Sequence, residues 1–173
     1  MDTNVFISGL KPDDPYHSDA KSIFRGLEQS EIQAETSVLT LLEIASVSGR
    51  LFKSRRGTTE RERKTFVIRI LGRLAGLKTK FINIEGDSPM AVRNIQTRLP
   101  NIFNEAILLS LECPLRSLDL IHLAAARHAK WVNDELGAFV TGDTEFLSNK
   151  KELFEIIGIP FISPKEYVEG LGL

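Results

Sequence analysis

The chain has 173 residues, 42% of them apolar and 26% charged, with a net charge of −1. That length suits one domain, 1–173, with its own core, and the near-zero charge excludes a whole-chain electrostatic argument for nucleic acid or membrane. A lone Cys113 excludes an internal disulfide and favours a reducing compartment; with no basic-then-apolar leader and no membrane-length apolar run, the expected location is cytoplasmic.

In chain order, "MDTNVFISGL" places a carboxylate, two small polar residues and then an apolar run. "KPDDPYHSD" is rich in turn formers. "AKSIFRGLEQ" reads as a short amphipathic helix and "IQAETS" as a strand. "SVLTLLEIASVSG" reads as a helix with Ser37 as N-cap and Gly49 near its end. "TTERERKTFVIRILGRLAGLK" opens with a capping-box pattern, Thr59 and Glu62, and carries Phe66, Ile70, Leu74 and Leu77 at helical spacing. "KFINI" is a strand. Pro89 to Leu111 reads as two helical pieces broken near Pro100. "SLDLIHLAAARHAK" is a helix apolar nearly all round, hence buried. "GAFVTGD" is a strand ending in a turn, "TEFLSNKKELFEIIG" a helix closed by Gly158, and "IPFIS" a last strand.

Strands thus alternate with helices, which predicts an α/β fold with a mainly parallel sheet covered on both faces. In such sheets ligands sit outside the carboxyl ends of the strands. The charge is also uneven. Between Arg50 and Lys80 eleven basic residues face only Glu60 and Glu62, a local +9, while the rest of the chain carries −10. A basic helical segment is set on an acidic body.

The acids carry the chemistry. Asp143, in "VTGDTEF", stands just past a strand and suits a helix N-cap, a role compatible with metal binding. Asp119 lies among Leu118, Leu120, Ile121, Leu123 and three alanines. A charge there must be paired, capping or metal-bound, and first-turn capping and a site weigh evenly. His122, three residues on, reads as a packed histidine rather than a ligand. Glu43 lies with Thr40 and Ser46 in a narrow polar stripe, which faces either solvent or a polar cleft. Asp2 alone is only a polar terminus. If the four converge, their repulsion requires a cation, and hard oxygen donors select Mg²⁺ or Mn²⁺.

"DTNVFISGL", "LLEI", "SLDLIHLAAA" and "VTGDTEF", in that order and spacing, resemble the PIN-domain ribonucleases, from Asp2 to about Phe146. The resemblance implies a three-layer α/β/α sandwich with a mainly parallel five-stranded sheet. It also implies a metal-dependent endoribonuclease with Asp2, Glu43, Asp119 and Asp143 as the acidic quartet binding Mg²⁺ or Mn²⁺. Thr3 and Thr141 look like hydroxyls that orient the acids or a water. Metal ions held by carboxylates neutralise the phosphate and activate a water without a side-chain nucleophile. In-line attack then leaves a 5′-phosphate and a 3′-hydroxyl.

Lys53, Arg55 and Arg56, after the Glu43 helix, are expected to contact RNA phosphates. Small members of the family are often toxins of toxin–antitoxin pairs and homodimers, which makes an antitoxin protein a candidate partner; this chain is long for that group, and a processing nuclease fits equally. In the family a strand of several apolar residues precedes the first Asp. Here only Met1 does, so the first strand is expected to be truncated and Asp2 less firmly held. The rival reading is a catalytically impaired PIN-like module that binds RNA or protein. A phosphatase is disfavoured by the lack of an Asp-x-Asp pair at the first strand.

Overall fold

A computed structural model describes residues 1–53, 59–92 and 95–172. Arg55 and Arg56 lie outside the described residues, as does the side chain of Lys53.

The chain begins with a helix, α1 (Thr3–Leu10), which Asp2 caps, and not with a strand. Helix α2 (His17–Gln29) follows and leads to strand β1 (Ala34–Ser37). Helix α3 (Leu39–Lys53) starts where the Ser37 hydroxyl accepts the Leu39 N–H at 3.2 Å. Gly49 lies inside this helix rather than at its end. Helix α4 (Glu60–Ala75) opens on the expected capping box: the Glu62 N–H donates to Thr59 Oγ1 at 3.2 Å, and the Thr59 N–H donates to Glu62 Oε2 at 2.8 Å.

Strand β2 (Thr79–Ile82) pairs in parallel with β1, Ala34 opposite Thr79. Of the two helical pieces expected on either side of Pro100, the first is instead an antiparallel hairpin, β3 (Asp87–Val92) with β4 (Ile95–Pro100), and the second is helix α5 (Asn101–Leu109). Helix α6 (Ser117–Val132) is buried along Leu120 to Ala126, as its all-round apolar sequence requires. Strand β5 (Phe139–Val140) leads to helices α7 (Thr144–Ser148) and α8 (Lys150–Ile157), two pieces where the sequence suggested one. Gly158 ends α8 at a φ of 79°, a left-handed conformation that glycine adopts without strain. Strand β6 (Phe161–Ile162) pairs in parallel with β5, and helix α9 (Pro164–Leu171) closes the chain.

Among the described residues the strands therefore form three two-stranded sheets, two of them parallel. Adjacent residues of β5 and β6 divide between two apolar clusters. Phe139 and Phe161 pack with α5, α6 and α8; Val140 and Ile162 pack with α1, α2 and α3. That division follows from the two-residue period of a strand, and it puts helices on both faces. Among the described residues no helix is long and apolar enough to cross a membrane.

Met1 and Asp2 tie β1 to β5. The Met1 amine donates to Glu35 O at 2.7 Å and the Asp2 N–H donates to Val140 O at 3.0 Å. Beyond Met1, the two strand edges flank an apolar cavity of about 430 Å³ lined by Ile32, Ala34, Ala126, Leu136, Phe139 and Ile159.

Candidate functional site

The site is assembled where the carboxyl ends of β1 and β5 meet the starts of α1, α3, α6 and α7. Asp2 is 5% exposed. Its Oδ1 accepts the Thr3 N–H at 2.6 Å, and its Oδ2 accepts from Asn4 Nδ2 at 2.8 Å and Thr141 Oγ1 at 2.7 Å. Rather than being loosely held, Asp2 is fixed from both sides. Burial raises its carboxyl above the usual range, against the opposing pull of His122, Thr141 and Thr3.

Asn4 is the clamp between the two halves of the chain. Its Nδ2 lies 3.1 Å from Thr141 Oγ1, and its Oδ1 accepts the Gly142 N–H at 2.8 Å. A Cβ on Gly142 would stand 3.1 Å from the Tyr16 ring and 3.5 Å from Asn4 Oδ1. The glycine of "TGD" is thus set by close approach.

Glu43 lies half-buried on α3 and is held by two groups. Thr3 Oγ1 donates to Glu43 Oε2 at 2.5 Å, and His122 Nε2 lies 2.7 Å from the same oxygen. Burial opposes ionisation, but the bonds from His122 and Thr3 outweigh it and lower the Glu43 carboxyl. His122 is 4% exposed. Burial alone would lower its imidazole; the Glu43 bond and the charges of Asp2, Glu43 and Asp119 raise it overall. The polar stripe on α3 runs outward from the interior: Thr40 is buried, 3.0 Å from Thr3 Oγ1 and 2.8 Å from Thr36 Oγ1, Glu43 is at the wall, and Ser46 is exposed.

Asp119 stands in the first turn of α6, partly buried, and accepts no hydrogen bond among the described residues. Burial, with the charges of Asp143, Asp2 and Glu145, pushes its carboxyl up to about 6. Asp143 caps α7: its Oδ1 accepts the Glu145 N–H at 2.7 Å, and its own N–H donates to Thr141 Oγ1 at 3.0 Å. Glu145, which the sequence reading passed over, adds a negative charge facing Asp119 and is met by Arg116 at 3.4 Å.

Asp2, Asp119 and Asp143 therefore share one electrostatic neighbourhood, while Glu43 is engaged through His122 and Thr3. As they stand, no three Asp, Glu, His or Cys side chains among the described residues are close enough together to ligate one ion. The donor chemistry still suits a hard divalent cation. Among the described residues Asp119 has no hydrogen-bond partner to give up, and its carboxyl is raised first by burial and then by the charges of Asp143, Asp2 and Glu145, a penalty on the carboxylate that a cation would relieve.

Three contributors went unread in the sequence: Asn4, Glu145 and the His122–Glu43 bond. All three lie within the motifs that carried the resemblance: Asn4 in "DTN", Glu145 in "VTGDTEF", and His122 and Glu43 in "SLDLIHLAAA" and "LLEI". A family model described as PIN domain matches residues 1–112, a span that includes Asp2, Thr3 and Glu43 and ends before Asp119, Thr141 and Asp143. No curated protein and no solved structure matches the chain.

Proposed function

The chain belongs to the PIN-domain family, generally nucleases, and on that premise we propose that it is a metal-dependent endoribonuclease with Asp2, Glu43, Asp119 and Asp143 as its acidic quartet. The observation that supports this best is Asp119, ionisable near neutrality, half-buried, and faced by Asp2, Asp143 and Glu145. Nothing in a purely structural role calls for that gathering of like charge.

The four acids are the residues that would hold Mg²⁺ or Mn²⁺. The ion, when bound, supplies charge neutralisation at the phosphate and makes a water acidic enough to attack. The chain's own groups do the rest. Asn4, Thr141 and the Thr3 N–H lock the orientation of Asp2. His122 and Thr3 lock Glu43. Asp119, which accepts no hydrogen bond among the described residues, is the acid placed to take the water's proton. Hydrolysis adds water across the P–O3′ bond, leaving a 5′-phosphate and a protonated 3′-oxygen. Lys53, Arg55 and Arg56 belong to the same proposal as contacts for RNA phosphates.

The three-layer α/β/α sandwich on a single sheet is the architectural part of the proposal, supported by the helices on both faces of β5 and β6. Two settings follow from the family: the toxin of a toxin–antitoxin pair, homodimeric and held by an antitoxin protein, or an RNA-processing nuclease. Co-purification with a small DNA-binding partner separates them. A second reading, a catalytically impaired RNA- or protein-binding module, is favoured by one observation: Glu43 already spends Oε2 on His122 and Thr3. Incubation of labelled RNA with the wild type in Mn²⁺ and in EDTA tests the proposal. Cleavage confined to Mn²⁺ is expected; absence of cleavage in both favours the binding module.

A further inference from the structure

Helices α3 and α4 pack as a hairpin, closed at one end by the stacked rings of Phe52 and Phe66, 5.0 Å apart. On its outer side they leave a groove of about 530 Å³. Ser46, Gly49 and Arg50 line it from α3; Arg63, Lys64 and Val67 line it from α4. Among the described residues no acid and no aromatic side chain lines it. Lys64 is met by Glu60 at 2.8 Å, an exposed pair of little energetic weight. The guanidiniums of Arg50 and Arg63 have no ion pair or hydrogen bond among the described residues, and Arg63 is half-buried. A guanidinium has five donors and binds phosphate oxygens in pairs.

The groove also shares helix α3 with Glu43. Arg50 follows Glu43 by seven residues, two turns along α3 on nearly the same face, a rise of about 10 Å. Ser46 lies between them at the groove wall. A strand whose scissile phosphate lies at the acids and whose chain continues along α3 therefore meets Arg50 and then Arg63.

We propose that the α3–α4 groove is the track for the phosphate backbone of single-stranded RNA leaving the acid site, with Arg50 and Arg63 as its phosphate-binding residues. This rests on the ribonuclease reading and names the path its substrate takes. The lack of aromatic side chains makes the contact one to the backbone, independent of base identity and strongly dependent on salt. The other occupant such a groove could take, an acidic helix of a partner protein, is an outcome of the test.

The test is fluorescence anisotropy with a labelled single-stranded RNA in EDTA, so that no turnover interferes. Arg50→Glu/Arg63→Glu and Arg50→Gln/Arg63→Gln are compared with Lys151→Glu, which changes the charge by as much as the Gln double variant at an exposed position on α8. The Glu double variant is expected to weaken binding by about tenfold or more, the Gln variant by less, and Lys151→Glu hardly at all. The slope of log K against log salt is expected to fall by about 0.7 per lost phosphate contact. Unchanged affinity and slope overturn the proposal. So does unchanged RNA binding with lost binding of a glutamate-rich helical peptide, which assigns the groove to a protein. Because binding is read in EDTA, the two claims fail separately. Loss of binding in the variants of a wild type that never cleaves in Mn²⁺ sinks the ribonuclease and keeps the groove; cleavage with unaffected variants does the reverse.

Discussion

His122 Nε2 stands 2.7 Å from Glu43 Oε2, joining two residues 79 positions apart and fastening α6 to α3 beside the acids. The bond is stronger when the imidazole carries its proton and Glu43 has lost its own.

The pair fixes a pH dependence. His122 is raised in the folded state, so its contribution is fully present below its ordinary 6.5 and is lost as pH rises through the folded value. Glu43 is lowered, so its contribution is present above its ordinary 4.5 and is lost as pH falls through the folded value. Both hold between pH 4.5 and 6.5. His122→Ala is expected to cost most in that window, about 1–3 kcal/mol by urea unfolding, and less at pH 9.

Asp119 gives the opposite sign. Its folded value of about 6 lies above the ordinary 3.8, so stability is greatest below 3.8 and is lost as pH rises through 6. Asp119→Asn is expected to be more stable than the wild type at pH 8 in EDTA. The gain is about 1–2 kcal/mol once solvent screening of this half-exposed group is allowed for. At pH 4 the two should coincide. Mn²⁺ should then raise the melting temperature of the wild type more than that of the variant.

Asp143 has two jobs that substitution can separate. Asn caps helices as well as Asp does, whereas Ala leaves the Glu145 N–H without its 2.7 Å acceptor. Asp143→Asn should unfold within about 0.5 kcal/mol of the wild type, and Asp143→Ala about 1 kcal/mol earlier. Both should lose cleavage. An active Asn variant would leave Asp143 as a cap only.

Phe146 is 1% exposed and packs its ring 5.3 Å from Phe139 and 5.9 Å from Phe161, under the Asp143 turn. Phe146→Ala is expected to cost about 3–5 kcal/mol. Calorimetry reads the loss directly.

The legible parts of this fold were those with local causes. Thr59 and Glu62 announced the start of α4, and Gly158 the end of α8, because caps act within a few residues. The β3–β4 hairpin was misread because Met90, Ala91, Gln96 and Leu99 are good helix formers; its partners, Pro89 opposite Arg98 among them, are set by pairing and not by propensity. Helix α1 was missed because an apolar run after Asp2 looks alike as strand or helix when short. In the site, only Asp119 stood out from its surroundings; Asp2, Glu43 and Asp143 each had an ordinary local explanation and were singled out by the resemblance. The bonds that hold them were not: Thr141 to Asp2 spans 139 positions, and no spacing rule reaches that far.

The central claim is that these acids hydrolyse RNA with a divalent cation. The most direct measurement is the rate of cleavage of a labelled RNA by wild type and Asp119→Asn, side by side in Mn²⁺, with product ends identified. The expected result is Mn²⁺-dependent cleavage to 5′-phosphate ends by the wild type and at least a hundredfold loss, about 10² or more, in the folded variant. Equal rates for the two proteins, or cleavage undiminished in EDTA, would contradict it.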